Sequence, residues 1–201
     1  YFQMVFDCYR ALRRAGWSVD VVPKTVDPST YKITFAPGLL TVPTTLTGGL
    51  VVTGPRAGSK TEELTIPAGL IPQISGLKTK VTYVESLPPF APMPLIGGGA
   101  FEKWRESLET QDTVILQLDD GAPAAVRSGD IIYLAGWPNP SLWRRLLGQL
   151  AQEQDLPMMD LPRDIRVRDT DTHRFWFNYG TKPIKWNNIT LPAAGVYWET
   201  L

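Results

Sequence analysis

Residues that usually carry catalytic or metal chemistry are nearly absent from this sequence. Its 201 residues include one cysteine, Cys8, and one histidine, His173. A single cysteine excludes a disulfide within the chain, and a zinc site would have to be built mainly from carboxylates, which is unusual. A thiol nucleophile needs a neighbouring base, but Cys8 falls inside a predicted helix and His173 in a distant segment. The sequence therefore indicates no metal, no cofactor and no Cys–His catalytic pair.

An excess of charge of either sign is also absent. Twenty basic residues balance twenty acidic residues, so the formal net charge is zero. A balanced chain gives no electrostatic basis for binding nucleic acid or an anionic membrane surface. No apolar run reaches the roughly 18 residues that a transmembrane helix requires. We expect a globular protein with no nucleic-acid or membrane partner, and its single cysteine fits a cytoplasmic location.

Proline and glycine are plentiful, and they divide the first part of the chain into short elements. The sequence has 18 prolines and 17 glycines. An amphipathic pattern over residues 1–15 predicts a helix that ends at Gly16. A helix followed by strands that end at proline or glycine predicts an α/β unit with a parallel sheet. The strands predicted here are Trp17–Val22, Tyr31–Ala36 and Leu50–Thr53.

The connection between the last two of these strands is poorly suited to that arrangement. Pro37 to Gly49 separate them, and parallel neighbours need a crossover of a dozen or more residues, usually a helix. Residues 39–47 are rich in threonine and contain a proline, so they are poor helix formers. Either the strands are antiparallel, or a segment is missing from the sequence. We favour a missing segment between about Thr44 and Gly48.

The middle of the chain mixes irregular segments with strands and one helix. Residues 67–99 are rich in proline and glycine and predict irregular chain around a strand at Lys80–Val84. Phe101–Leu108 predicts a short helix or an extended segment. Ser141 is a good N-cap for a helix from Leu142 to about Gln154. Further strands are predicted at Thr113–Leu118, Ala124–Arg127 and Ile131–Gly136.

The residue pattern of the sequence changes near residue 160. Short alternating segments, separated by Asp, Gly, Asn and Pro, predict a small antiparallel β domain. We therefore expect an α/β domain over residues 1–159 and a β domain over residues 160–201. The strands predicted in the second domain are Ile165–Arg168, His173–Tyr179, Pro183–Trp186 and Gly195–Glu199.

The segment Gly54–Thr61 resembles a phosphate-binding loop only superficially. Such a loop needs four residues between its glycines and then Gly-Lys-Ser/Thr opening a helix. Here three residues separate Gly54 from Gly58, and Ser59 precedes Lys60. A rigid turn is the better interpretation. We expect Arg56 and Lys60 to face carboxylates of a neighbouring subunit, since arginine suits bidentate pairing at interfaces.

Carboxylate pairs and tryptophans are the remaining candidates. Glycoside hydrolysis needs two carboxyl groups facing each other across a sugar, but Asp119-Asp120, Glu62-Glu63 and the Asp169/Asp171 pair all fall in predicted turns. Seven tryptophans are a large supply for this length, and exposed tryptophans bind sugars or fill protein interfaces. Trp137, at a predicted strand end, is the best interface candidate.

Several segments follow one another in an order typical of one family. The most recognisable is the loop Gly54-Pro55-Arg56 with Gly58-Ser59-Lys60-Thr61-Glu62. The others are Tyr9–Gly16, Val19–Val22, Tyr31-Lys32 with Ala36-Pro37, Val84–Pro88, Tyr133–Trp137, Phe177–Tyr179 and Pro192–Val196. Together they cover nearly the whole chain and resemble the trimerisation domain and C-terminal β domain of bacterial β-galactosidases of glycoside hydrolase family 42.

The resemblance implies both a fold and a function. The fold would be flavodoxin-like, related in shape to class I glutamine amidotransferases without their nucleophile, and followed by a small β domain. This region would mediate homotrimer assembly, whereas the catalytic glutamates would lie on an N-terminal (β/α)8 barrel. Such barrels take about 250 residues, so no segment here can form one. We expect a non-catalytic region of an enzyme that hydrolyses terminal β-D-galactosyl residues.

The chain departs from the family pattern in two places. The family's crossover helix before the Gly-Pro-Arg loop is absent, and so is the first strand of the α/β domain. The chain starts at Tyr1–Gln3, which is either a tag remnant or native helix. The helical spacing of Phe2, Val5 and Phe6 favours the native interpretation.

Two functions of other classes remain open alternatives. A carbohydrate-binding module would use exposed aromatic platforms, which the tryptophans could supply. A stand-alone amidotransferase-like hydrolase would need a nucleophile on a strand-to-helix turn, and the sequence shows none.

Overall fold

A computed structural model of the chain consists of two compact units. Unit 1 contains Tyr1–Cys8 and Val22–Arg145, and unit 2 contains Tyr9–Val21 and Leu146–Leu201. Across the part of the chain that the structure describes, no helix is long and apolar enough to cross a membrane. The described residues are 1–41, 46, 48–67 and 72–201.

Two α-helices, one short 3-10 helix and fourteen strands are formed by the described residues. The helices are α1 (Phe2–Arg14), α2 (Pro140–Glu153) and the 3-10 helix Pro28–Thr30. The strands are β1 (Ile33–Ala36), β2 (Leu50–Thr53), β3 (Thr79–Ser86), β4 (Met93–Pro94), β5 (Ala100–Thr110), β6 (Thr113–Gln117), β7 (Pro123–Ser128), β8 (Ile131–Leu134), β9 (Gly136–Pro138), β10 (Ile165–Asp169), β11 (His173–Asn178), β12 (Ile184–Trp186), β13 (Ile189–Leu191) and β14 (Gly195–Thr200).

The main sheet of unit 1 has five strands in the order β1-β2-β8-β7-β6. β1, β2 and β8 are parallel, whereas β7 and β6 join them in antiparallel pairing. β2 and β8 are buried along their whole length, because a strand covered on both faces needs apolar residues at successive positions. The α/β prediction is confirmed, but the sheet is mixed rather than purely parallel.

The disputed pair of strands, β1 and β2, is parallel, with Ile33 opposite Leu50 and Ala36 opposite Thr53. The antiparallel alternative is therefore wrong. β2 also pairs in parallel with the buried strand β8, so its direction is set on both sides. The break hypothesised between Thr44 and Gly48 falls largely on residues outside the described part of the chain, and it stays a prediction.

The second sheet of unit 1 consists of β3, β5 and β4, and β9 also pairs with β5. β5 runs for 11 residues, so the segment Phe101–Leu108 is extended and the helical alternative is wrong. Its long ladder with β3, from Thr79–Thr110 to Ser86–Trp104, overrides local helix propensity. The predicted irregular segment around Met93 is also corrected in part, because Met93 pairs with Phe101.

Both predicted helices form, but the start of α2 differs from the prediction. α1 ends before Gly16, whose φ of 86° lets the chain leave the helix at little cost. α2 begins at Pro140, and its cap is Asn139 rather than Ser141, because the Leu142 amide donates to Asn139 Oδ1 at 2.8 Å. Proline suits the first helical position, which places the capping residue directly before it.

The strand predicted at Trp17–Val22 does not form. This part of unit 2 is held by individual hydrogen bonds instead of a strand ladder. Trp17 Nε1 donates to the Pro157 carbonyl at 2.8 Å, and the Asp169 amide donates to Ser18 Oγ at 3.3 Å. The alternation in the sequence therefore did not predict a strand correctly here, and Val21, on its apolar face, is 82% exposed.

Unit 2 contains an antiparallel three-stranded sheet in the order β10-β11-β14 and the hairpin β12-β13. A buried cluster that includes Ile165, Val167 and Trp176 packs one face of the sheet. Asn178 is 3% exposed and its side-chain amide donates to the carbonyls of Lys182 and Pro192 at 2.9 and 2.8 Å. All five strands follow residue 160, in agreement with the predicted small antiparallel β domain.

Candidate functional site

The loop that follows β2 is built on a tightly packed base. Gly54 has a φ of 84°, and a Cβ atom there would lie 2.3 Å from the Leu134 carbonyl oxygen, so only glycine fits without displacing backbone. Ala57 and Ser59 are 0% and 1% exposed. The Ser59 hydroxyl donates to the Arg56 carbonyl at 2.6 Å. The loop is therefore a rigid part of unit 1.

The amides of this loop are already used within the protein. The Gly58 amide donates to the Leu39 carbonyl at 3.0 Å, and the Lys60 amide donates to the Leu40 carbonyl at 3.2 Å. A phosphate-binding loop needs such amides free to point at its ligand. The chain after Thr61 also forms a turn rather than a helix. This geometry supports the interpretation of the loop as a rigid turn.

A buried carboxylate, Glu106 on β5, organises the loop. Arg56 has a φ of 66° and donates its amide to Glu106 Oε1 at 3.2 Å, while its guanidinium lies 3.4 Å from the same oxygen. The Tyr133 hydroxyl on β8 donates to Glu106 Oε2 at 2.6 Å. One carboxyl group therefore ties together the loop and a strand from each sheet of unit 1.

The electrostatics of this group follow from its burial. The Glu106 side chain is 1% exposed, and loss of hydration raises its pKa, opposed by the hydrogen bonds from Tyr133 and Arg56. The pKa of Tyr133 is also raised well above its ordinary value. Burial is the main cause, and the nearby Glu106 carboxyl is the second. With its oxygens occupied by protein donors, Glu106 is suited to holding structure.

Sequence reasoning missed Glu106 because its strand is irregular. The β5–β9 register shifts between Glu102 and Arg105, and Lys103 has a φ of 64°. Strict alternation from the buried Phe101 would direct residues 103 and 105 inward, whereas the structure buries Glu106. A bulge changes which face later side chains occupy, and the sequence has no glycine here to signal it.

The three predicted interface residues lie in unit 1 in different environments. The Arg56 side chain is 23% exposed and directed to Glu106. Lys60 is partly exposed. Trp137 is 8% exposed, and its indole N–H donates to Asp7 Oδ2 at 3.2 Å, with Lys103 Nζ 3.9 Å from the ring centroid. The structure thus joins Arg56 to an intramolecular site and packs Trp137 beneath a lysine.

The candidate nucleophile is placed in an unreactive setting. Cys8 on α1 is 2% exposed, and burial raises the pKa of its thiol to about 12. At neutral pH it is a protonated thiol, whereas the reactive species is the thiolate. His173 lies on β11, where its Nδ1 is 2.7 Å from the Thr172 hydroxyl.

One member of each carboxylate pair has a partner within the protein, and Asp169 ends strand β10 instead of lying in the predicted turn. Asp120 Oδ1 accepts from the Ala122 amide at 2.9 Å, and Glu62 pairs with Lys24 at 2.8 Å. Asp169 accepts two hydrogen bonds from Arg174, both at 2.7 Å. Within the described residues, no group of three or more His, Cys, Asp or Glu side chains is arranged to hold a metal ion.

Aromatic rings line one face of the three-stranded sheet in unit 2. His173, Phe175 and Phe177 alternate along β11 and are followed by Tyr179, with successive ring centroids 6.1, 6.5 and 6.2 Å apart. Trp198 on β14 lies opposite Phe175, 5.2 Å from the His173 ring, and is 58% exposed. This face could bind a flat ligand or a protein surface.

Comparison with known proteins assigns the chain to a family. Residues 1–157 match the family model described as β-galactosidase trimerisation domain. The chain is 38% identical over 198 residues to a β-galactosidase of Thermus thermophilus, an alignment that covers 92% of this chain and 30% of that protein. The chain therefore spans less than a third of the length of this relative.

Solved structures give the same result. The β-galactosidase of the psychrophilic Marinomonas ef1 superposes with a TM-score of 0.90 at 28% identity, covering 98% of this chain and 33% of its own. A β-galactosidase of the Antarctic haloarchaeon Halorubrum lacusprofundi shares the fold, with a TM-score of 0.86 at 24% identity over 100% of this chain and 36% of its own. The protein is therefore a member of the β-galactosidase trimerisation domain family, as its resemblance to family 42 predicted.

Proposed function

We propose that this chain is the homotrimerisation region of a β-galactosidase, an enzyme that hydrolyses terminal β-D-galactosyl residues. The match of residues 1–157 to the trimerisation domain carries this proposal. The related β-galactosidase from Thermus thermophilus is more than three times as long as the matching segment. In this proposal an N-terminal (β/α)8 barrel supplies the catalytic glutamates and is the other partner of the chain.

We also propose the finer features of architecture and location. Residues 1–159 would form a flavodoxin-like domain related to class I glutamine amidotransferases, and residues 160–201 a separate β domain. The parallel strands β1, β2 and β8 support the first part, and the grouping of β10–β14 supports the second. The buried free thiol of Cys8 supports a cytoplasmic location.

Assembly of three copies requires two different surfaces on each copy. A ring of three closes only through head-to-tail contacts, in which one patch meets another. The loop held by Glu106 suits such a contact, because a rigid surface loses little conformational entropy on binding. We place Lys60 in direct contact with the neighbour. Arg56 and Trp137 would border the interface and shape it through Glu106 and Lys103.

The aromatic face of unit 2 favours a second candidate function, carbohydrate binding. Trp198 and Tyr179 are 58% and 69% exposed, and sugars pack their C–H faces against aromatic rings. The face lies beyond the residues that match the trimerisation model. A sugar site there would be compatible with assembly through unit 1.

The assembly proposal predicts the native mass of the 201-residue chain. Three copies of a 22.4 kDa chain give about 67 kDa. Multi-angle light scattering over a wide concentration range should show this mass at high concentration, with dissociation on dilution. A mass of one chain at every concentration would contradict the proposal.

The second candidate predicts a saturable change in tryptophan fluorescence on titration with galactose or lactose. The Trp198→Ala variant should lose this response, because its ring forms the exposed part of the face. Trp143→Phe, altered at a buried ring in α2, serves as the control and should keep it. Absence of a response at millimolar sugar, or a response that survives in Trp198→Ala, would exclude the site.

Replacement of Glu106 tests whether the buried carboxyl organises the loop. Glu106→Ala leaves Tyr133 and Arg56 without their acceptor and should lower the free energy of unfolding by about 3–5 kcal/mol, as for a broken buried pair. Glu106→Gln retains an acceptor and most of the shape, so its cost should be smaller. Urea unfolding at fixed pH measures both, and equal stability of Glu106→Ala and the parent would contradict the assignment.

The raised pKa of Glu106 predicts that the stability of the protein depends on pH. Its folded pKa is raised above the ordinary value of 4.5, so the folded state keeps a proton that the unfolded state has lost. Its contribution to stability therefore falls as pH rises from about 4.5 toward the folded pKa. Subtracting the Glu106→Gln pH profile from that of the parent should isolate this decline. Parallel profiles would show that the pKa is not raised.

A further inference from the structure

Directly after the loop, residues Thr61–Ile66 form a closed turn at the surface of unit 1. The Thr61 amide donates to the Thr65 carbonyl at 3.0 Å, and the Leu64 amide donates to the Thr61 carbonyl at 2.9 Å. The two threonine hydroxyls are 2.9 Å apart. These bonds fix the turn, which begins where the base held by Glu106 ends.

The turn exposes apolar side chains where polar residues would be expected. Leu64 is 63% exposed and Ile66 is 73% exposed. Turns usually carry Gly, Asn, Asp or Ser at such positions. Single exposed apolar residues are common on protein surfaces, but two residues on one hydrogen-bonded turn form a compact apolar projection.

The backbone of Leu64 adds an independent observation. Its φ of 60° lies in the left-handed region, which glycine and asparagine adopt readily and leucine does not. A leucine at this position destabilises the isolated fold, and its exposed side chain gains little from packing in return. Strained residues of this kind concentrate at functional sites. This combination of strain and exposure marks Leu64 as a candidate for contact with another molecule.

We propose that Leu64 and Ile66 form the apolar centre of the contact between one copy of this chain and the next. This inference rests on the proposed function, since the second copy is the occupant expected for a chain whose trimerisation match includes these residues. The ion pair between Lys24 and Glu62 of the turn, at 2.8 Å with side chains 37% and 66% exposed, fits the polar rim that surrounds an apolar interface centre. In a ring of three, the turn would contact a different surface of the neighbour.

The test uses variants that separate association from folding. Leu64→Asn removes the apolar side chain and introduces a residue that tolerates the left-handed conformation. The stability of the monomer should therefore be unchanged or slightly raised. Ile66→Thr keeps the branched shape and adds a hydroxyl. Either change should raise the concentration at which the trimer half-dissociates by at least about tenfold, the effect expected of a central interface residue.

The matched control is Val114→Thr, an equivalent change at an exposed apolar residue of β6, 36% exposed and far along the chain from the turn. It should leave association unchanged. Sedimentation velocity over a dilution series measures association, and urea unfolding of the diluted chain measures folding. A trimeric parent with equally trimeric Leu64→Asn and Ile66→Thr variants would overturn this inference alone. A parent that is monomeric at every concentration would overturn the proposed function and this inference together.

Discussion

The structure of unit 1 depends on one buried carboxylate. Glu106 accepts hydrogen bonds from Tyr133 on β8 and from Arg56 at the tip of the loop after β2. An acid buried in an apolar interior is costly unless donors surround it, and here the donors come from two segments that are separate from β5, the strand that carries the acid. Those segments must be in place together, so the group couples the two sheets to the loop. Rigidity of the loop follows from this coupling more than from the loop's own sequence.

That rigidity bears on the proposed assembly. A closed trimer repeats its contact three times, so any entropy lost in ordering a surface is also lost three times. A loop already fixed by its own protein avoids that loss. The turn that follows carries Leu64 in a left-handed conformation and Ile66 in an exposed position. In the proposed assembly, Glu106 holds the surface and the apolar turn makes the contact.

The sequence was sufficient for features governed by local patterns. The apolar runs of β2 and β8 and the periodicity of α1 located these elements well, and the ordered motifs identified the family. It was insufficient where distant partners decide the outcome. Trp17–Val22 alternates like a strand but pairs with no strand among the described residues, and β5 is extended because β3 pairs along its length. Of the candidate site, the loop could be predicted, but Glu106 could not, since the bulge before it reverses the alternation.

Amide hydrogen exchange of residues 61–66, measured in the assembled and in the diluted chain, tests directly whether the turn makes the contact between copies. Exchange in the turn should be slower on assembly, with unchanged exchange in β10 and β14, which lie outside the trimerisation match. The loop base around Ala57 and Ser59 should be protected in both states because it is already buried. Equal exchange of the turn in an assembled trimer and in the monomer would show that the turn does not make the contact between copies.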